Sequence, residues 1–252
     1  MNGYFNDVLD SHNSFNNNVI HSCWNGDAIF FSLQNYSTCS DNIVQGCRLA
    51  IYMCKNSIIS GNIIYTSISS GIMISLPSHN VTFSSNFIMN AYESSIVVRK
   101  QMEHGDFTSS NYNINILNNE IIKSGFHGID LNDVDLAVVA SNKIDEVAEH
   151  GIYILNGTNI VISSNLIITS NKSIYIDIGS TNNIVDSNKT YNVFPNYTES
   201  AVYTLYSFGN TISNNNFYGT YTSVLINQIP DNLNNVLINN RHFNCNNILI
   251  CP

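Results

Sequence analysis

Nine tripeptides of one pattern recur along the chain: Ile29-Phe30-Phe31, Ile51-Tyr52-Met53, Ile72-Met73-Ile74, Ile96-Val97-Val98, Ile129-Asp130-Leu131, Ile152-Tyr153-Ile154, Ile174-Tyr175-Ile176, Val202-Tyr203-Thr204 and Val224-Leu225-Ile226. Their first residues lie 22, 21, 24, 33, 23, 22, 28 and 22 positions apart. A unit this short cannot bury its own apolar residues, so it must stack on copies of itself. The spacing predicts an all-β solenoid, a parallel β-helix of about ten coils of roughly 22 residues, with two or three short strands per coil. All 252 residues form one domain, because a continuous stack leaves no room for a linker.

Asparagine recurs in phase with the tripeptides, at Asn18, Asn42, Asn62, Asn86, Asn119, Asn142, Asn165, Asn188, Asn216 and Asn240. It closes segments such as Asn159-Ile-Val-Ile-Ser-Ser-Asn165, whose alternation of apolar and polar residues is that of a strand with one buried face. An asparagine there suits a tight turn, since it tolerates a left-handed backbone, and stacked amides can bond to one another as a ladder.

Composition narrows the function. Charged residues are only 11% and the formal net charge is −9, which argues against nucleic acid, whose binding needs a basic face. No apolar run reaches the length that spans a membrane, and the first residues lack the pattern of a secretory signal. The six cysteines match no zinc spacing, so no metal and no cofactor is expected. Cys23 and Cys47 lie one coil apart and read as stacked small core residues, with a disulfide as the alternative.

Two steps of the repeat are too long, and the excess falls near 100–109 and 192–199. Insertions in a solenoid project as loops, often from the binding face, so the coils they flank are the place to look for a groove. In each tripeptide the first and third residues point inward and the middle one outward. The middle positions form a ribbon of Phe30, Tyr52, Met73, Val97, Asp130, Tyr153, Tyr175, Tyr203 and Leu225. A flanking outward stripe carries Arg99, Asn132, Leu155 and Asp177; another carries His127, His150 and Lys172 on successive coils. Rings stacked across coils can serve stability alone. Tyrosines beside histidines and an acid also offer what a polysaccharide needs: apolar faces for sugar C–H groups and donors for its hydroxyls.

At these residues the chain resembles the carbohydrate-active right-handed parallel β-helix superfamily: pectate-lyase-like enzymes, mannuronan C-5 epimerases and phage tailspike depolymerases. His127-Gly-Ile-Asp-Leu-Asn-Asp133 is similar to the epimerase signature Tyr-Gly-Phe/Ile-Asp-Pro-His-Asp, with Gly128, Ile129, Asp130 and Asp133 in matching places. Leu131 and Asn132 depart from it, and the signature's catalytic histidine is the one replaced by Asn132. The resemblance implies a single-stranded right-handed helix, a polysaccharide partner, and an extracellular or virion-associated setting. The tailspike likeness implies a homotrimer.

The leading expectation is proton abstraction α to the carboxylate of a uronate-containing glycan, by a lyase or an epimerase. His127 or His150 is the base, since an imidazole titrates near working pH. Tyr153 or Tyr175 donates a proton, and Arg99 or Lys172 neutralises the carboxylate with help from protonated Asp130. Tyr203 adds binding surface. The alternative is a tailspike-type hydrolase pairing Asp130 with Asp177 or Glu149. Asp130 and Asp177 are two coils apart, ~9.6 Å along the axis, which disfavours a retaining pair. A non-catalytic glycan-binding fibre or adhesin is the third reading.

Overall fold

A computed structural model describes residues 10–21, 26–75, 77–100, 110–169, 171–192, 200–219, 223–227, 234–243 and 250–251. Among these, three parallel sheets of ten strands each run the length of the chain, so a typical coil contributes one strand to each sheet. The first sheet holds the tripeptides, including Ile96–Val98, Ile129–Asn132, Ile152–Leu155, Ile174–Ile176 and Ser200–Leu205. The second includes Asn111–Leu117, Val134–Ala140 and Thr158–Ser163; the third includes Phe87–Ala91, Glu120–Ser124, Lys143–Val147 and Leu166–Thr169. Short strands rich in Ile and Val, each one coil from its partner, are what the repeat dictates. Ile129 pairs with Ile96 and Ile152, and Ile152 with Ile174. All four are fully buried, as are Leu131, Ile154 and Ile176 two positions on. The core is therefore one apolar column enclosed by the three sheets.

Between the second and third sheets the asparagines stack as an internal ladder. Asn142 Nδ2 donates to Asn165 Oδ1 (3.0 Å) and to the Ile116 carbonyl (2.8 Å), while Asn142 Oδ1 accepts from the amide and side chain of Asn119. Two details differ from the sequence reading. The member of the ladder in the ninth coil is Asn215, not Asn216. The left-handed residue is the one before each asparagine, as at Ser141 (φ 58°), Ser164 (56°) and Asn118 (54°). The asparagine itself is buried because its amide must reach inward to close the ladder.

The register of the second tripeptide also needs correction. Leu49, Ala50 and Ile51 pair with Ile72, Met73 and Ile74, so the outward middle residue is Ala50, and Tyr52 lies at the next outward position. Arg48 is thereby brought opposite Asp27, with which it forms an ion pair. Cys47 is buried and disulfide-bonded rather than a free core thiol; Cys23 lies outside the described residues. Cys39 and Cys54 are free and buried. The two loop insertions, beyond Lys100 and Asn192, fall outside the described residues. No described helix is long and apolar enough to cross a membrane.

Candidate functional site

The outer face of the first sheet gathers the predicted residues on four adjacent coils. The parallel register sets Asp130 beside Tyr153, Tyr153 beside Tyr175, and Tyr175 beside Tyr203. One step before the strands, His127 and His150 stack with centroids 5.0 Å apart and planes 10° from parallel. His127 also stacks on Tyr153 (4.7 Å), and His150 meets Tyr175 edge-on (5.0 Å, 78°). The ribbon continues as edge-to-face pairs, Tyr153–Tyr175 at 67° and Tyr175–Tyr203 at 75°. Lys172 Nζ lies 5.5 Å and 5.3 Å from the centroids of Tyr175 and Tyr203, within reach of a cation–π contact.

Hydrogen bonds fix several of these groups. The Tyr153 hydroxyl donates to Asp177 Oδ2 (2.6 Å), and Asp177 Oδ1 accepts the Ile178 amide (2.8 Å). Both carboxylate oxygens of Asp177 are thus engaged. His127 Nδ1 accepts the backbone amide of His150 (3.3 Å), which places the proton of the neutral ring on Nε2. His150 is only 7% exposed; its Nδ1 makes no hydrogen bond of good geometry, although the Glu149 carbonyl pulls on the ring proton.

Burial governs the electrostatics. It pushes the Asp130 carboxyl up to about 6, against the pull of the nearby Arg99 guanidinium. It pushes His127 down to about 4, and His150 down to about 3 with further repulsion from His127 and Lys172. Burial first, and then the Asp177 carboxylate, raises the phenols of Tyr153 and Tyr175, so both keep their protons.

These shifts make a stability prediction. Asp130 binds its proton more tightly folded than unfolded, so its burial penalises the folded state above pH 6 and is relieved as pH falls through 6 toward 4. Asp130→Asn should raise stability by on the order of 2 kcal/mol at pH 8, with the gain fading to nothing near pH 4. The histidines act oppositely, costing stability as pH falls from 6.5 toward 3. Thermal melts of both proteins across this range check it; a gain constant with pH would contradict a raised Asp130.

Other residues of the signature have structural duties. A Cβ on Gly128 would stand 2.5 Å from Ile144 Cγ2 and 2.6 Å from the Gly151 carbonyl, and Gly151 is held by Ile167 and Ser173 in the same way. The Gly-Ile steps thus close the third sheet onto the first. Asp133 is a left-handed turn residue (φ 53°) whose carboxylate accepts the Asn156 amide. Of the matched residues only Asp130 lies in the cluster. Glu149 occupies the turn before His150, its amide bonded to the Phe126 carbonyl, and not the strand face.

Toward the earlier coils, Met73 is outward by register yet only 2% exposed. The guanidiniums of Arg48 and Arg99 reach its sulfur at 3.6 and 3.7 Å. Arg48 went unnoticed in the sequence because the two-residue slip in its coil moved it off the outward stripes. Arg99 Nε is buried without a hydrogen-bond partner. Among the described residues no group of three His, Cys, Asp or Glu side chains is disposed to hold a metal ion.

Residues 2–108 match the family described as right handed beta helix region. No curated protein matches the sequence. Among solved structures, PfbA, a surface adhesin of Streptococcus pneumoniae, superposes with a TM-score of 0.74 at 14% identity, over 94% of this chain and 69% of the adhesin. The A-module of the mannuronan C-5 epimerase AlgE6 of Azotobacter vinelandii gives 0.61 at 14% identity, over 83% and 58%. DFA-IIIase of Arthrobacter chlorophenolicus A6, in complex with GF2, gives 0.63 at 13% identity, over 89% and 63%. The chain thus spans less than two thirds of either enzyme. Repeat spacing, sheet topology and these likenesses agree that the chain has the parallel β-helix fold.

Proposed function

We propose that the outer face of the first sheet binds a uronate-containing polysaccharide and removes the proton α to its carboxylate, as a lyase or an epimerase. The observation that carries this reading is the single cluster of two stacked imidazoles, two phenols that keep their protons and a carboxyl raised to about 6. Such a cluster holds a base, proton donors and a group able to hydrogen-bond a carboxylate as a neutral acid.

The chemistry follows from charge. A substrate carboxylate arriving beside Arg99 adds a negative charge next to Asp130 and the histidines. That charge raises Asp130 further, so it protonates and donates a hydrogen bond to the carboxylate. It also raises the imidazoles, restoring the basicity that burial removes. His150, held among His127, Tyr153 and Tyr175, is the base. His127 presents Nε2–H as a donor. Tyr153 or Tyr175 delivers a proton to the leaving oxygen, or to the opposite face of the carbanion. Asp177 is a positioning residue that aims Tyr153.

The edge-to-face order of the tyrosines supports a glycan. On the third sheet Tyr191, Tyr218 and Phe243 stack nearly parallel, at 8° and 6°, and cover one another's faces. Tyr153, Tyr175 and Tyr203 turn by 67° and 75° between neighbours and so do not cover one another's faces, although His127 stacks on Tyr153 and Lys172 lies over Tyr175 and Tyr203. The likeness to two carbohydrate enzymes and an adhesin is consistent with a sugar ligand met outside the cell.

The test is incubation with acidic polysaccharides in water and in D₂O. A lyase creates a 4,5-unsaturated uronate that absorbs in the near ultraviolet, and an epimerase incorporates deuterium without shortening the polymer. His150→Ala should lower either signal by about 10²-fold or more. Reducing ends without absorbance or deuterium, surviving His150→Ala and His127→Ala, would sink the reading in favour of a hydrolase.

A further inference from the structure

A groove of about 1010 Å³ lies on the turn between the third and first sheets, beside the cluster and separate from it. Its walls include Ile68, Tyr92 and Phe126, which are 50%, 74% and 54% exposed, and its charged groups are Lys123, Asp145 and Glu146. Exposed aromatics of this size are not required by the fold, since the turn's neighbours Ala91, Ser124 and Val147 already close the core. The groove joins the face described above through Phe126, which packs edge-on against His127 with centroids 5.8 Å apart.

We propose that this groove is a neutral-sugar subsite for the same glycan, so that the substrate crosses the helix axis and mixes uronate with neutral residues. The inference rests on the uronate reading of the sheet face. Charge is partitioned between the two surfaces. The face offers Arg99 and Lys172 to a carboxylate, whereas the groove sets two carboxylates against one amine and repels a second uronate. Exposed rings supply apolar faces for sugar C–H groups, and the Asp145, Glu146 and Lys123 side chains supply acceptors and donors for hydroxyls. The volume is that of a ligand site rather than a packing defect. A ligand passing over Phe126 reaches His127 without leaving the surface.

The test is calorimetric titration of the intact protein with three probes: a neutral xylo-oligosaccharide, a glucuronoxylan oligosaccharide carrying one uronate on a neutral backbone, and an all-uronate alginate oligosaccharide. The mixed probe should bind tightest. Tyr92→Ser and Ile68→Ser should each weaken the neutral and mixed probes by about tenfold while changing the alginate probe by less than about twofold. The double change Asp145→Asn with Glu146→Gln, which keeps shape and removes charge, should strengthen alginate binding. Lys172→Ala should weaken the two uronate probes and leave the neutral one unchanged. Unaltered affinity of the mixed probe in Tyr92→Ser overturns the subsite, as does binding of none of the probes by the folded protein. Loss in the groove variants with Lys172→Ala and Tyr175→Ala inert would leave the groove standing and remove the uronate reading of the face.

Discussion

Ile152→Asp should unfold the protein, whereas Tyr153→Ser, one residue along, should leave it folded. Ile152 is fully buried between Ile129 and Ile174, and its amide donates to the Ser173 carbonyl at 2.9 Å. A carboxylate there has apolar neighbours on both adjacent coils. It must either stay neutral at a high pKa or remain charged without a partner, and each costs several kcal/mol. A total stability of about 5–15 kcal/mol does not absorb much of that along with the lost packing of an isoleucine. In a solenoid each coil is held only by its neighbours, so a break in the sixth coil separates the two halves of the stack. Tyr153 points outward from the same strand. Its loss removes ring contacts and the bond to Asp177 but no backbone pairing, a change of about 1–2 kcal/mol. Circular dichroism and thermal melts of both variants check this. Equal damage from the two would contradict the assignment of Ile152 as inward and Tyr153 as outward.

That contrast depends on parity, the part of the fold the sequence states most clearly. Side chains alternate with a period of two, so an apolar alternation tells which residues face inward. It does not tell which inward residue stands opposite which. Leu49-Ala50-Ile51 and Ile51-Tyr52-Met53 keep the same parity, and the choice between them falls to backbone pairing with the strand Ile72–Ile74. The slip cost the recognition of Arg48, whose place beside Asp27 and Met73 follows only from the true register. Asn214, Asn215 and Asn216 are equally good letters for a ladder, and only the turn's geometry selects Asn215. The clustering of His127, His150, Tyr153, Tyr175 and Asp177 was legible because a coil repeat of 22 or 23 residues converts sequence spacing into contact. The groove beside Phe126 was not, since it is built from turn residues that carry no periodic signal. Protonation of Asp130 was expected only as what the chemistry asks for; its physical cause is burial, which no neighbour in sequence announces.

Asn142→Leu should strongly destabilise the fold, although leucine is nearly the same size and better suited to a buried site. Asn142 Oδ1 accepts both the backbone amide of Asn119 (2.9 Å) and its side chain (3.0 Å), and Asn142 Nδ2 binds the Ile116 carbonyl (2.8 Å). Leucine leaves the Asn119 backbone amide with no acceptor and strips one partner each from the Asn119 side chain, the Ile116 carbonyl and Asn165 Oδ1. All of them are buried where water cannot substitute. An unpaired buried donor or acceptor costs about 1–3 kcal/mol, so the sum is about 3–5 kcal/mol. For a chain of this length that lowers the melting temperature by about 6–20 °C. The second, outer ladder supplies the control. Asn113 Nδ2 donates to Asn80 Oδ1 at 2.8 Å, the same bond between the same groups, but at an exposed position. Asn113 is left-handed (φ 52°), so the control is Asn113→Gly, which should cost less than about 1 kcal/mol because water replaces the lost partner. If melts of the two variants shift equally, the internal ladder is worth no more than its geometry, and the apolar column alone holds the coils in register.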